Sequence, residues 1–396
     1  MYKKLQPFLE KELNAIKEAG LWKRERIITT PQGADIKTQD GRAVINFCAN
    51  NYLGLSSHPK VIEAIKNQLD QYLHLMVYGE VVQSPQALLA KAISQTLPPS
   101  LDNIYFVNSG SEAIEGALKL AKRYTQRSEI IYFENSYHGS SHGALSIMGN
   151  EYFKQAFRPL LPNTRMIRLN QIEDLDYITK ETACIVLETI QGEAGVRIPD
   201  TNYINALATK CKSTGTLLIL DEIQTGFGRT GKFWAFEHFD IQPDILVCAK
   251  GMGGGMPIGA FISSKTIMNS LTENPVLGHI TTFGGHPVSC VASLAVIEIL
   301  REEKLIEQVA CKAEKIKQLL HHPKIKSIRN MGLMMAVEFE SYQILKPIID
   351  QAIQLGVLTD WFLHCDNAMR IAPPLTITEQ EIEEACLFLL NAIETA

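Results

Sequence analysis

The chain of 396 residues carries a formal net charge of −5, with 46% hydrophobic and 20% charged residues. At about 100–200 residues per domain this length suits two or three domains, and the composition is that of a soluble globular protein. The acidic balance gives nucleic acid no basic footprint, and no apolar run reaches the roughly 18 residues of a membrane helix. The N-terminus MYKKLQPFLEKEL lacks an apolar core ahead of a cleavage site, so a cytoplasmic protein is expected.

In chain order, residues 7–19 read as an amphipathic helix with Phe8, Leu9, Leu13 and Ile16 on one face and Gly20 as its stop. A short strand, AVINFCA, follows at 43–49, and 59–73 reads as a helix. From residue 104 the texture changes. Short apolar runs, NIYFVN (103–108), EIIYFE (129–134), ACIVLE (183–188), TLLILD (216–221) and DILVCA (244–249), alternate with helical stretches. Near-continuous apolar strands separated by helices predict an α/β fold with a mostly parallel sheet covered on both faces. Beyond about residue 290, a helix at 288–302, charged helices over 303–321 and two strand-like pieces, LMMAVEFE and AMRIAPP, read as a smaller α/β domain. The division expected is an N-terminal segment 1–58 joined to that domain, a large domain 59–287 and the small domain 288–396. The eight cysteines are scattered, with no C-x-x-C pair, and read as buried reduced thiols.

In such sheets ligands bind at the carboxyl ends of the strands, and each predicted end carries polar or glycine-rich chemistry. Lys250 closes one strand and is followed by Gly251, Gly253, Gly254 and Gly255. Desolvation there lowers a lysine's pKa and favours the neutral amine that forms an imine with a carbonyl. A strand-end lysine that snorkels to solvent has the same local pattern. Asp221 ends another strand. It suits a protonated pyridine nitrogen, and equally a helix cap or an internal ion pair. Ser109-Gly110-Ser111 stands between a strand and a helix, a natural phosphate site or an ordinary N-cap. Tyr137, in Tyr137-His138-Gly139, suits stacking on a flat ring or a place in the core. His138 and His142 have i, i+4 spacing but no H-E-x-x-H, so no metal site is expected. Gly226–Gly231 matches G-x-G-x-x-G without opening a clear helix, and no nicotinamide site is expected there. The same stretch lacks the Ser or Thr a P-loop needs after its lysine.

Taken in order, these residues resemble the class III aminotransferases of the fold-type I pyridoxal-phosphate superfamily. The resemblance runs from about residue 75 to the end and rests on LILDEIQTGFGRTG…PDILVCAKGMGGGMPIGA, with NSGSEA, ETIQGEAG, TTFGGHP and MRIAPPL in support. It implies pyridoxal 5′-phosphate as cofactor, an amino donor and a 2-oxo acid as substrates, and a homodimer with shared sites. It implies Ser109, Gly110 and Ser111 at the phosphate, and Tyr137 on the ring with His138 and Glu188 beside it. Asp221 falls at the ring nitrogen, Gln224 at the phenolic oxygen and Lys250 in the Schiff base. Thr282 would reach the neighbouring subunit's cofactor phosphate. Arg370 would bind a substrate carboxylate, with Glu193 screening it when none is bound. Ser140 stands where ornithine, acetylornithine and 4-aminobutyrate transaminases carry an arginine. FRPLLP, HFDIQPDIL and TTFGG are more similar to putrescine-type diamine transaminases, and His286 replaces the usual Asn of GGNP. The first 60 residues, with GLWKRERIITTPQGADI and INFCANNYLGLSSHP, resemble instead the α-oxoamine synthases, glycine C-acetyltransferase among them, which places Asn51 at the substrate. Trp361, Phe362 and His364 are expected to line the pocket.

Overall fold

The computed structural model describes residues 2–18, 27–39, 41–77, 79 and 81–396. The first helix runs Tyr2–Glu18, and its expected stop at Gly20 lies outside the described residues. Its apolar face, Phe8, Leu9, Leu13 and Ile16, is exposed.

The strands, in chain order, are β1 (Asp35–Lys37), β2 (Ala43–Asn46), β3 (Asn103–Val107), β4 (Glu129–Phe133), β5 (Thr164–Ile167), β6 (Thr182–Glu188), β7 (Leu217–Asp221), β8 (Ile245–Cys248), β9 (Gly259–Ser263), β10 (Ser327–Met331), β11 (Met334–Glu338), β12 (Val357–Leu358), β13 (Asp360–Phe362) and β14 (Cys365–Ile371). Seven of them form one sheet in the order β3-β9-β8-β7-β6-β4-β5. β9 runs antiparallel to both neighbours, and the other pairings are parallel. All five apolar runs are strands of this sheet. Sequence reading missed β5, which has exposed residues, and β9, whose GAFIS follows directly on the glycine-rich turn.

Alternation explains why the strands look uniformly apolar. Ile130, Val186, Ile219 and Val247 face the helix Gly110–Thr125 in one cluster. Ile131, Phe133, Ile185, Leu187, Leu218, Leu220 and Leu246 face the larger core on the other side. With a side-chain period of two, both faces must be apolar when both are covered. The helix Gly110–Thr125 ends at Gln126 in a left-handed cap whose N–H bonds Lys122 O.

Past the sheet, Pro287–Glu302 packs against the helices Pro59–Leu69 and Ser84–Ser94. The order β10-β11-β14-β13 makes a second, antiparallel sheet. The N-terminal β1–β2 hairpin pairs through β2 with β12. The charged stretch after residue 302 becomes helical only at Val309–Leu319, later than the expected 303. Cys311 is exposed, against the expectation of buried thiols. Cys184, Cys211, Cys248, Cys290 and Cys386 are buried, and all eight are free. Among the described residues no helix is long and apolar enough to cross a membrane.

Candidate active site

The carboxyl ends of β3, β4, β6, β7 and β8 open into a cavity of about 620 Å³. Its lining includes Asn108, Ser109, Gly110, Ser111, Tyr137, His138, Glu188, Asp221, Gln224 and Lys250, with Asn50 and Asn51 from the loop after β2. Residues some 140 positions apart in the chain therefore meet, because parallel strands all end on one edge.

Ser109 caps the helix Gly110–Thr125, its hydroxyl accepting from Glu112 N at 3.2 Å. Glu112 in turn accepts from both the backbone and side-chain nitrogens of Asn108 at 2.8 Å. The first-turn amides of Gly110 and Ser111 fall outside the helix ladder, and both residues line the cavity, as an anion site requires. A Cβ on Gly110 would lie 2.8 Å from Ile223 Cδ1, and one on Gly139 (φ +127°) 2.0 Å from Ser111 Oγ. Both glycines let the floor of the cradle close up.

The acid at the end of β7 is tightly held. Asp221 Oδ2 accepts from His138 Nδ1 at 2.7 Å, with both side chains almost fully buried. Asp221 Oδ1 accepts from Ile223 N at 2.9 Å. The cost of burying this carboxylate is offset by an imidazole and a backbone amide, which together orient it. His138 Nε2 is buried without a hydrogen-bond partner. Beside them, Glu188 accepts from Tyr137 N and Gly192 N, each at 2.9 Å. Burial pushes its pKa up to about 7, helped by Asp221 and opposed by His138.

Lys250 opens the turn after β8 with φ +49°, in the left-handed region. Burial lowers its pKa, while Glu193, Asp221 and Glu188 act to raise it and Arg370 to lower it further. A lowered ammonium pKa keeps more of the amine neutral and nucleophilic.

A second constellation lies next to it. Arg370, on β14, is in contact with Glu193 and sits 4.8 Å above the Phe362 ring. Burial alone would raise the Glu193 pKa, but the Arg370 guanidinium holds it below the usual carboxylate value. Glu193 also accepts from Leu363 N at 3.1 Å and from Gln224 Nε2 at 3.1 Å. A substrate carboxylate in Glu193's place would keep Arg370 paired and leave Glu193 the neutral donors Leu363 N and Gln224 Nε2.

The remaining expected residues are dispersed. Thr282 stands on an exposed loop and does not line this cavity. Asn51 lines the mouth, its Nδ2 donating to Gln32 O at 2.8 Å and Ser56 Oγ at 3.1 Å. Ser140 faces Tyr137, with the two hydroxyl oxygens 3.4 Å apart. Of the three residues expected to line the pocket, Phe362 lies under Arg370, Trp361 packs edge-on to Tyr342 and His364 packs against Phe153. None of them is on the cavity wall. His286 has a structural role. It caps Pro287–Glu302 by accepting from Val288 N at 3.3 Å, which an asparagine does equally well.

Three residues escaped sequence reading. Tyr52 donates its hydroxyl to Gln224 Oε1 at 2.5 Å. Arg229, in the glycine-rich stretch set aside above, is 0% exposed. It donates to Leu333 O at 3.1 Å, to Pro373 O at 2.7 Å and to Tyr52 O. Glu222, also buried, accepts from Ala235 N at 2.6 Å and Phe236 N at 2.7 Å, and burial pushes its pKa up to about 7. A charged residue inside an otherwise apolar or glycine-rich run was the only signal for the last two.

The residues present fit a pyridine aldehyde bearing a phosphate. There is a helix start for the phosphate, a buried, oriented carboxylate for a ring nitrogen, an amide side chain beside it, and a desolvated amine.

The class-III aminotransferase family model matches residues 20–393. An acetylornithine aminotransferase of Methanopyrus kandleri is 35% identical over 92% of this chain and 93% of its own length. A putrescine aminotransferase of Pectobacterium atrosepticum is 40% identical over 82% of this chain and 72% of its own. The ornithine aminotransferase of Toxoplasma gondii, described with pyridoxal phosphate at its active site, superposes with a TM-score of 0.87 at 26% identity, covering 98% of this chain and 94% of that one. A transaminase from the marine bacterium Virgibacillus gives 0.88 at 25%, covering 96% and 95%. The family match takes in both N-terminal stretches likened above to α-oxoamine synthases, so that separate affinity is not supported. The aminotransferase match begins well before the residue 75 at which sequence reading placed it.

Proposed function

The chain belongs to the class-III aminotransferases, pyridoxal-phosphate enzymes, and from that premise we propose that it moves the terminal amino group of a diamine or ω-amino acid to 2-oxoglutarate, as a cytoplasmic homodimer. The observation that carries this reading is the pairing of two sites: the cavity with Lys250, Asp221 and the Ser109–Ser111 helix start, and the adjoining Glu193–Arg370 pair. The 40% identity to a putrescine aminotransferase supports a diamine donor, and so does Ser140, which offers no cation to a donor's distal carboxylate.

When bound, pyridoxal phosphate supplies an aldehyde carbon that bonds amines and a ring that takes up the electron pair left by the departing proton. Ser109, Gly110 and Ser111 would hold its phosphate, Tyr137 its ring face, Asp221 its ring nitrogen and Gln224 its phenolic oxygen. His138 fixes the Asp221 carboxylate so that a proton stays on the ring nitrogen. Glu188, with its raised pKa, adds less negative charge beside it than a free carboxylate would. Lys250 would hold the aldehyde carbon, and its Nζ, once freed by an incoming amine, would be the base that moves a proton between the substrate's amine-bearing carbon and the aldehyde carbon on the other side of the nitrogen. With a diamine bound, Glu193 stays on Arg370. With a 2-oxo acid bound, Arg370 turns to its carboxylate. Thr282, on its exposed loop, would serve the partner's cofactor. The N-terminal segment 1–58 and residues 288–396 would act as one small domain beside residues 59–287.

The test is a donor panel. Purified protein is mixed with pyridoxal phosphate, 2-oxoglutarate and putrescine, ornithine, lysine or 4-aminobutyrate, and glutamate is measured. Glutamate is expected with putrescine, and none with a Lys250→Ala variant. Glutamate formation that survives loss of Lys250, or is absent with every donor, defeats the reading.

A further inference from the structure

Tyr52 combines three observations that none of its neighbours shares. It lies in the loop after β2 with φ +53°, a conformation costly for an aromatic residue and kept only where the surroundings enforce it. Here Arg229 enforces it by donating to the Tyr52 carbonyl. Its side chain is 7% exposed, and its hydroxyl donates to Gln224 Oε1 at 2.5 Å. Its ring centroid is 5.2 Å from Lys250 Nζ. The charged and titratable groups facing the phenol are Arg370, Glu193, Arg229 and Cys48, and burial raises its pKa, so it remains a donor at any working pH.

Tyr52's hydroxyl donates to Gln224 Oε1, and because a phenol could also accept, it is the Glu193 carboxylate, an acceptor only, that fixes which way round the Gln224 amide sits. Its Nε2 then faces the other way, where one hydrogen goes to Glu193 Oε1 at 3.1 Å. A flipped amide would set Oε1 against the Glu193 carboxylate. One N–H of Gln224 is left over, and its direction is set from both sides.

We propose that Tyr52 is a positioning residue that locks the Gln224 amide so that its remaining N–H is aimed at the cofactor's phenolic oxygen, while its ring walls Lys250. This rests on the functional reading above, in which Lys250 carries the cofactor and Gln224 meets that oxygen. A donor on the oxygen drains negative charge that would otherwise hold the proton on the Lys250 nitrogen. Tyr52 therefore lowers the pH at which that nitrogen loses its proton.

The experiment is a pH titration of the visible absorbance of the cofactor-loaded protein, for wild type, Tyr52→Phe, Gln224→Ala and the double variant. Tyr52→Phe keeps the ring and removes one hydrogen bond, so the apparent pKa is expected to rise by about half a unit to one unit, a three- to tenfold gain in proton affinity. Gln224→Ala is expected to raise it as well, with Tyr52 intact, and the Tyr52→Phe effect should vanish in the double variant. A Tyr52→Phe curve that superposes on wild type, or effects that simply add, overturns the proposal while leaving the functional reading in place. A wild-type protein that takes up no cofactor at Lys250 overturns both.

Discussion

Replacing Arg229 with methionine tests how the cavity is tied to the antiparallel sheet. The guanidinium joins three segments distant in sequence, through the carbonyls of Tyr52, Leu333 and Pro373. No carboxylate neutralises it among the described residues, and burial lowers its pKa to about 10, so it stays charged at neutral pH. Methionine fills much of the same volume and removes the cost of a buried charge. What remains is three buried carbonyls without a donor, each costing about 1 kcal/mol or more, so Arg229→Met is expected to lose ~3 kcal/mol. Lysine restores the charge but reaches fewer carbonyls, and Arg229→Lys should fall between the two. Equilibrium urea unfolding of the cofactor-free protein, followed by far-ultraviolet circular dichroism, measures the loss as a lower midpoint at unchanged slope. If Arg229→Met unfolds at the wild-type urea concentration, the three carbonyls do not depend on the guanidinium and the reasoning is refuted.

Two further predictions concern the carboxylates of the site. Glu188 is raised by burial from 4.5 to about 7, so the folded protein keeps a proton that the unfolded chain has released. Its stabilising contribution is fully present below about pH 4.5 and is lost as pH rises through about 7, a change of about 3 kcal/mol. Urea unfolding of the cofactor-free protein should therefore give a stability that declines over that window, and a flatter profile for Glu188→Gln; equal slopes would point to another group. Glu193→Gln leaves Arg370 without its screening charge, so the KM for 2-oxoglutarate should fall several-fold, about 1 kcal/mol, while turnover of a diamine slows. Steady-state kinetics with both substrates checks this, and an unchanged ratio of the two KM values counts against the switch.

The sequence determined more of this protein than its loops and caps suggest. Five apolar runs were legible as strands because both faces of the sheet are covered, which leaves no polar alternation to interpret. Each run ends on the same edge, so the residues at or just after their ends, Ser109–Ser111, Tyr137, Asp221 and Lys250, meet as the lining of one cavity, as their places in the sequence lead one to expect. β5 and β9 were not legible, one because its edge position leaves it partly exposed, the other because its apolar stretch merges with a glycine-rich turn. Tertiary structure alone decided the partners: His138 on Asp221, Tyr52 on Gln224, Glu193 on Arg370, and Arg229 on three carbonyls. Sequence spacing says which strand end a side chain occupies. It cannot say which side chain from 80 or 170 residues away closes on it, because those contacts follow from sheet order and from how the second sheet packs against the first.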